Sequence, residues 1–150
     1  MPICSWQPTP PIKEFQGEYR FLSNFYPAQM HHDGLLFPTS EHAFQAAKTL
    51  NFQYRWEISQ LSTPGQAKRA GKEVLLRPDW EQAKVRIMAE IVALKFLQNP
   101  PLLRKLLQTG VAVLEEGNQW HDTFWGICDG KGNNHLGKIL MSFRDRVLGG

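Results

Sequence analysis

Residues 37–48 read FPTSEHAFQAAK, and this stretch decides how the rest of the sequence is interpreted. Pro38 ends the segment before it, and Thr39 or Ser40 can cap the free amides at the start of a helix. Glu41 then lies in the first turn, where the helix dipole favours a negative charge. The stretch therefore predicts a helix that begins near residue 40.

The two sides of this helix differ in chemistry. At about 100° per residue, Glu41, Gln45 and Lys48 project from one side, with Phe44 among them. The opposite side is small and apolar, and we expect it to face the core; it consists of Ala43, Ala46, Ala47 and Leu50. On an ordinary helix the polar side would be a solvated face with a weak salt bridge. An aromatic ring among an acid, an amide and an amine favours a cleft for a sugar or a base instead.

Length and composition indicate one globular domain. The chain has 150 residues, of which 42% are hydrophobic and 21% charged, which is typical of soluble proteins. It has neither a long apolar run nor a signal peptide pattern, so we expect a cytoplasmic protein without a membrane partner. Four prolines near the start predict an extended arm at residues 1–14, followed by the main domain at residues 15–150.

Cysteine, histidine and charge patterns exclude several classes of protein. Cys4 and Cys128 are the only cysteines, so the sequence predicts no disulfide framework. The five histidines lack the spacing of metal ligands, and we predict no metal and no cofactor. The net charge of +3 suits an anionic ligand. The chain has no arginine-rich tail, so the sequence allows nucleic-acid binding without indicating it. The sequence makes no prediction of oligomeric state.

Turn and capping signals predict the remaining elements. The alternation Phe15, Gly17, Tyr19, Phe21 indicates a strand. Asp33-Gly34 between two short apolar runs indicates a hairpin. Helices are predicted at residues 52–61, 64–71, 80–98, 100–110 and 136–147, with a short strand at residues 111–115. These elements predict an α+β fold, a predominantly helical single domain with a small antiparallel sheet.

A second polar region follows at residues 114–137. It concentrates, within a dozen residues, Glu115, Glu116, Asn118, Trp120, His121, Asp122 and Trp125. Flat rings stack on heterocycles or sugars, and acids and amides bind hydroxyls, so the region predicts a functional loop. Alternatively, one tryptophan is core and the acids are exposed. Residues 129–134 could bind a phosphate before the last helix, or form an ordinary capped turn.

Several motifs, in this order, resemble the NADAR superfamily, which includes the bacterial YbiA-like N-glycosidases. They are FQGEYRFLSNFYP at residues 15–27, FPTSEHAFQAAK at residues 37–48, AKRAG at residues 67–71, DTFWG at residues 122–126 and GNNHLGKILMSFR at residues 132–144. The resemblance spans nearly the whole chain. It implies an α+β, helix-rich fold and hydrolysis of N-glycosidic bonds to ribose. Trp120 and Cys128 depart from the YbiA type.

The resemblance also implies the site. By motif, the positions of the active site are those of Glu41, Lys48, Asp122 and Trp125. Positions lining the pocket are those of Arg20, Asn24, Phe25, Asn134 and Gly137. We add to the predicted substrate-binding residues His42, Gln45, Lys68 and Gly126, which belong to the same helix and motifs.

The predicted reaction is hydrolysis of the C1'–N bond of a ribosylated base or a phosphoribosylamino-pyrimidine, an intermediate of riboflavin biosynthesis. Glu41 would be the acid/base group, and Asp122 would orient a ribose hydroxyl or stabilise the developing cation. Lys48 would be either a fixed cation or an amine nucleophile. One alternative is removal of ADP-ribose from guanine in nucleic acid. Another is a binding module for ADP-ribose or NAD without turnover.

Overall fold

The computed structural model describes residues 8–150. Residues 1–7, which include Cys4 and half of the predicted arm, lie outside this range. The described chain contains six α-helices: α1 (Ser40–Ala47), α2 (Phe52–Ser59), α3 (Pro64–Gly71), α4 (Trp80–Leu97), α5 (Pro100–Gln108) and α6 (His135–Leu148). Its sheet has two antiparallel strands, β1 (Met30–His32) and β2 (Leu35–Phe37). The predicted helix-rich α+β fold is confirmed.

The β1–β2 hairpin forms where the turn signal places it. Met30 pairs with Phe37 and His32 with Leu35. Asp33 and Gly34 have φ angles of 49° and 81°, so both central residues of the turn are left-handed. Two left-handed residues match the right-handed twist of the strands, and an Asp-Gly pair adopts that conformation readily.

The strand predicted from Phe15 to Phe21 is wrong. Gly17–Leu22 is a 3-10 helix, and its bonds include Tyr19 N–H to the carbonyl of Gln16 at 3.0 Å. Gly17 has a φ angle of 59°, which interrupts an extended chain just where the alternation would continue. The aromatic residues at every second position therefore do not share one face of a sheet.

The strand predicted at residues 111–115 is reduced to a single bridge. Leu114 pairs in parallel with Ile12, whose N–H donates to the carbonyl of Val113 at 2.8 Å. Ile12 is buried and belongs to the hydrophobic core. The predicted boundary between an arm and a domain at residue 15 stays a prediction.

Helix α4 lies in the centre of the fold and packs against α1, α5, α6 and β1. Ile87, Ile91 and Phe96 on it are fully buried. Asp79 precedes the helix as predicted, but its side chain caps no helix amide. The carboxylate instead binds the Arg77 guanidinium, with 2.7 Å between Oδ1 and Nε.

Helix α1 is enclosed on all sides. Thr39 caps it by accepting a hydrogen bond from the N–H of His42. Every residue from Ser40 to Ala47 is buried, including those of the polar side. Leu50, which we expected in the core, is 63% exposed because the helix ends at Ala47 and the chain turns away. Within residues 8–150, no helix combines the length and apolar character needed to cross a membrane.

Candidate active site

A cleft of about 790 Å³ is lined by the 3-10 helix, α1, α3 and residues 116–125. Its volume lies within the range of small-molecule sites. The acidic side chains in its lining are Glu41, Glu116 and Asp122. The cationic ones are Arg20, Lys48, Lys68, Arg69 and Lys72. The aromatic ones are Phe15, Phe25, Phe44, Trp120 and Trp125. The cleft therefore joins acids, cations and flat rings.

Glu41 is held in this cleft by its backbone and by one amide. Its N–H donates to the carbonyl of Asn24 at 3.1 Å, which docks the start of α1 onto the segment after the 3-10 helix. Gln45 Nε2 donates to Glu41 Oε1 at 2.7 Å. Burial raises the pKa of Glu41, and the hydrogen bond from Gln45 and the charges of Lys68 and Lys48 partly oppose that rise. A carboxyl with a raised pKa holds its proton to higher pH than an exposed glutamate does, which is the property required of a general acid.

Lys48 lies at the carboxyl end of α1 and lines the same cleft. Burial lowers its pKa, and Glu41 opposes that change. The positive charges of Lys68, Lys72 and Lys84 lower it further. The predicted spacing on α1 thus places an acid and an amine on one wall, and their pKa values are moved toward each other.

The remaining cations of this wall come from α3. Thr63 and Gln66 close a capping box at the start of the helix, and Lys68, Arg69 and Lys72 then line the cleft. Gly71 lets α3 approach α1, since a Cβ there would overlap the side chain of Gln45.

Asp122 and Trp125 belong to one tight turn. Asp122 Oδ1 accepts hydrogen bonds from the N–H groups of Phe124 (3.1 Å) and Trp125 (2.9 Å). Asn118 Oδ1 accepts from the N–H of Asp122 at 3.0 Å. The Trp125 ring packs edge-on against Phe44, with 5.3 Å between the ring centroids. The DTFWG motif therefore brings a carboxylate and an indole into the cleft through its own hydrogen bonds.

Glu116 is the acidic residue that our predicted site omits. It lines the cleft, and its Oε2 atom is buried without a hydrogen-bond partner. Burial, with the negative charges of Asp122 and Glu41, raises the pKa of Glu116 to about 8. The sequence signalled Glu116 only as one of several acids in a segment without periodicity. Arg69, Lys72 and Trp120 also line the cleft outside our predicted set.

Of the predicted site residues, nine line the cleft: Arg20, Asn24, Phe25, Glu41, Gln45, Lys48, Lys68, Asp122 and Trp125. Their roles stay predictions. His42, Gly126, Asn134 and Gly137 do not line it.

His42 is a structural residue in this fold. Its Nε2 lies 3.0 Å from the carbonyl of Leu61, which can only accept, so Nε2 carries the proton. Its Nδ1 lies 2.7 Å from the Thr39 hydroxyl and accepts from it. Burial lowers the pKa of His42, in keeping with a neutral ring. His42 therefore ties the start of α1 to the connection before α3.

Gly126, Asn134 and Gly137 support the backbone behind the cleft. Asn134 Oδ1 accepts from the N–H of Glu116 at 3.0 Å, and Nδ2 donates to the carbonyl of Leu114 at 2.9 Å. A Cβ at Gly137 would overlap the Asn134 side chain, and one at Gly126 would overlap the carbonyl of Glu116. These motif positions act through the segment 114–118 and do not touch the cleft.

The two residues that depart from the expected pattern differ in exposure. Trp120 is 58% exposed at the cleft, whereas Cys128 is buried with its Sγ 3.9 Å from His121 Nδ1. Among residues 8–150, no group of three or more potential ligands is positioned to hold a metal ion.

Comparison with known proteins identifies related chains. A family model described as the NADAR domain matches residues 12–148. N-glycosidase YbiA of Escherichia coli (strain K12) is 40% identical over 133 residues, which cover 87% of this chain and 82% of that protein. The solved NMR structure of E. coli YbiA matches with a TM-score of 0.85 at 36% identity, covering 95% of this chain and 88% of that one.

A longer relative also matches. A riboflavin biosynthesis protein of Vibrio vulnificus (strain YJ016) is 40% identical over 130 residues, which cover 85% of this chain. The match covers 35% of that protein, so this chain spans about a third of its length.

Proposed function

The chain belongs to the NADAR domain family and is an N-glycosidase by that relationship, and we propose that its substrate is a phosphoribosylamino-pyrimidine of riboflavin biosynthesis. The bond to be hydrolysed is the C1'–N bond between ribose and the pyrimidine amine. The observation that carries this proposal is the composition of one cleft wall by wall: cations from α3, carboxyls from α1 and the segment 116–122, and aromatic rings beside them.

Each part of such a substrate has a suitable partner in the cleft. The 5'-phosphate is an anion and fits the cations of α3, where Lys68 and Lys72 supply point charges and Arg69 a planar fork. The pyrimidine is a flat ring and can stack on Trp120 or Trp125. The ribose would then lie between these ends, beside the carboxyls.

The reaction requires proton transfer at two places. The C1'–N bond breaks through an oxocarbenium-like state, in which the electron pair goes to nitrogen and a proton must follow it. Water then bonds to C1' and loses a proton. Glu41 is the acid/base group in this proposal, since it lines the cleft and burial raises its pKa above that of an exposed glutamate. Asp122 would orient a ribose hydroxyl or stabilise positive charge at C1'.

Lys48 can act in either of two ways. As an amine nucleophile, Nζ bonds to C1' of the opened sugar, the pyrimidine amine leaves with a proton, and water hydrolyses the resulting imine. As a fixed cation, it holds the phosphate or hydroxyls and water attacks directly. Its lowered pKa supports the nucleophile, because more of the amine is neutral near pH 7.

ADP-ribosylated guanine in nucleic acid is the second candidate substrate. Five cationic side chains line the cleft, which is more than one phosphate needs, and a pyrophosphate would use more of them. Cleavage of either substrate is hydrolysis of a C1'–N bond, so the reaction class is the same.

Turnover of the two candidate substrates tests the proposal. Purified protein is incubated with a phosphoribosylamino-pyrimidine and, separately, with an ADP-ribosylated guanine oligonucleotide, and free sugar is assayed. We expect release from the first, and a fall in kcat of about 10²–10⁴ for Glu41→Gln. Release only from the second would transfer the function to the nucleic-acid substrate. Binding of ligand without release from either would make the protein a binding module.

Borohydride trapping separates the two roles of Lys48. If Lys48 is the nucleophile, borohydride during turnover yields a covalent sugar adduct on wild type and none on Lys48→Ala. Lys48→Arg is then as inactive as Lys48→Ala, because the guanidinium keeps the charge without offering a neutral amine. Substantial turnover by Lys48→Arg, with no adduct on wild type, would make Lys48 an electrostatic anchor.

A further inference from the structure

We propose that Glu116 is a second catalytic acid of this cleft, which donates its proton to the leaving nitrogen while Glu41 accepts the proton of the attacking water. The inference rests on the proposed N-glycosidase function. The C1'–N bond breaks with its electron pair going to nitrogen, and the Glu116 proton binds there. Water bonds to C1' and gives a proton to the Glu41 carboxylate. Exchange with solvent then restores both carboxyl groups.

The first observation is the contrast between the two glutamates. Glu41 accepts a hydrogen bond from Gln45 Nε2, and that bond favours its ionised form. Glu116 Oε2 is buried and receives no hydrogen bond that would stabilise a negative charge on that oxygen. Burial raises the pKa of both glutamates, but a hydrogen bond and two lysine charges oppose the rise at Glu41, whereas Lys68 alone opposes it at Glu116. Two carboxyls with such different partners can divide acid and base work between them.

The charged groups around Glu116 favour the same assignment. Burial, Asp122 from the following turn and Glu41 from α1 together raise the pKa of Glu116 to about 8. Lys68 from α3 lowers it in part. Arg20 of the 3-10 helix lines the same cleft. At neutral pH Glu116 therefore carries the proton that a leaving amine requires.

The second observation is that the backbone of Glu116 is fixed from behind. Asn134 binds both the N–H of Glu116 and the carbonyl of Leu114. Gly137 leaves the space that the Asn134 side chain occupies, and Gly126 leaves space for the Glu116 carbonyl. Asn134 is thus a positioning residue for Glu116. This explains how three motif residues serve the cleft without lining it.

A comparison of leaving groups tests the proposal. Glu116→Gln keeps the shape of the side chain and removes its acidic proton. On a phosphoribosylamino-pyrimidine we expect kcat to fall about 10²–10⁴-fold. On 4-nitrophenyl riboside 5-phosphate, whose phenolate leaves without a proton, we expect a loss of less than about tenfold, because an acid is not needed there. Glu115→Gln is the matched control, since the neighbouring carboxyl does not line the cleft.

The outcomes separate this inference from the proposed function. Equal losses on both substrates, or no loss on either, would overturn the role of Glu116 as proton donor. Failure of the wild type to release sugar from the pyrimidine substrate would instead overturn the proposed substrate. Thermal unfolding of each variant shows that the fold is retained.

If the enzyme does not accept the nitrophenyl substrate, a pH profile of kcat tests the roles of Glu116 and Asn134. Wild-type kcat should fall on the alkaline side with an apparent pKa near 8, as Glu116 loses its proton. Glu116→Gln should lack this limb. Asn134→Gly removes the positioning side chain and tolerates the left-handed φ of 53°. It should move the limb to lower pH, because a loosened Glu116 is better hydrated. An unmoved limb in both variants would overturn the proposal.

Discussion

Lys95 on α4 is a buried ionisable group, and Glu116 at the cleft is half-buried with a buried Oε2 atom, yet their surroundings differ. Lys95 is 1% exposed, and its Nζ donates to the carbonyls of Phe21 at 2.7 Å and Ser23 at 2.9 Å. Glu116 Oε2 has no partner. Burial lowers the pKa of Lys95 to about 7, and burial with two nearby carboxylates raises that of Glu116 to about 8, so both shifts favour the neutral form.

The difference lies in what each group contributes. Lys95 uses its burial to hold the 3-10 helix and the following turn, which carry Arg20 and Asn24 into the cleft. Its hydrogen bonds offset part of the cost of desolvation, so it is a structural group. Glu116 Oε2 bears that cost without a hydrogen bond, and only the charge of Lys68 offsets it in part. A cost of this kind persists where the surroundings serve another purpose, which at a cleft is a bound substrate.

The largest expected effect on stability comes from Lys95→Met. The change leaves two buried carbonyls unpaired, and we expect the free energy of unfolding to fall by about 2–4 kcal/mol at pH 9. The folded pKa of Lys95 lies below its usual value of 10.5, so the wild type itself loses stability as the pH falls from about 10.5 to about 7. The difference between variant and wild type should therefore shrink over that range. Chemical denaturation at several pH values measures it.

Lys138→Met, an exposed lysine on α6, is the control and should change stability little. We also expect Lys95→Met to raise KM more than it lowers kcat, because Lys95 touches the cleft only through the segment that it holds. A large loss of kcat with unchanged stability would contradict the distinction between the two groups.

An effect of opposite sign is expected for Glu116. Its folded pKa of about 8 lies above the usual 4.5, so the folded wild type binds the proton more tightly than the unfolded chain does. Wild-type stability therefore falls as pH rises from about 4.5 to about 8, by up to about 1.4 kcal/mol per pH unit. Glu116→Gln should remove this slope and become the more stable protein at pH 8.

Urea unfolding at pH 5, 6.5 and 8 measures the free energy of unfolding and hence that slope. Glu115→Gln should keep the wild-type slope. Parallel profiles of wild type and Glu116→Gln would mean that Glu116 is hydrated in solution, and the contrast with Lys95 would disappear.

The sequence predicted the helices and the hairpin better than the irregular segments, such as the one that carries Glu116. Capping signals placed α1 and α3, and the Asp-Gly turn placed the hairpin. The helical period also placed Glu41 and Lys48 on one wall, because about 3.6 residues per turn fix relative directions within one element. Local chemistry is sufficient for such features.

The irregular segments depend on contacts with distant parts of the chain. The position of Glu116 depends on a hydrogen bond to Asn134 and on packing against Gly126, and no periodic pattern encodes either contact. The alternation from Phe15 indicated a strand, which is wrong because Gly17 adopts a positive φ angle. The sequence does not reveal that angle, since glycine adopts positive and negative φ angles alike. The motif roles expected for His42, Asn134 and Gly137 likewise depend on which side of the backbone faces the cleft.

The smallest effect concerns the other buried atom without a partner, Gln45 Oε1, and it is the sharpest test of the comparison. This atom lies against Gly71, where a Cβ would overlap it. Gly71→Ala should turn Gln45 aside, break its bond to Glu41 and destabilise the fold by about 1 kcal/mol, against the usual gain of Ala over Gly in a helix. In a Gln45→Ala background only the tight contact with the Cβ of residue 45, at 3.2 Å, remains, so the same change should become neutral or stabilising. A double-mutant cycle measures this reversal of sign.

With Gln45 turned aside, the pKa of Glu41 should rise further, because the lost bond had lowered it, and the acidic limb of the kcat profile should move to higher pH. An additive cycle with an unmoved limb would show that Gln45 Oε1 is unpaired through packing alone, and that a missing partner marks function only where the atom also faces a ligand.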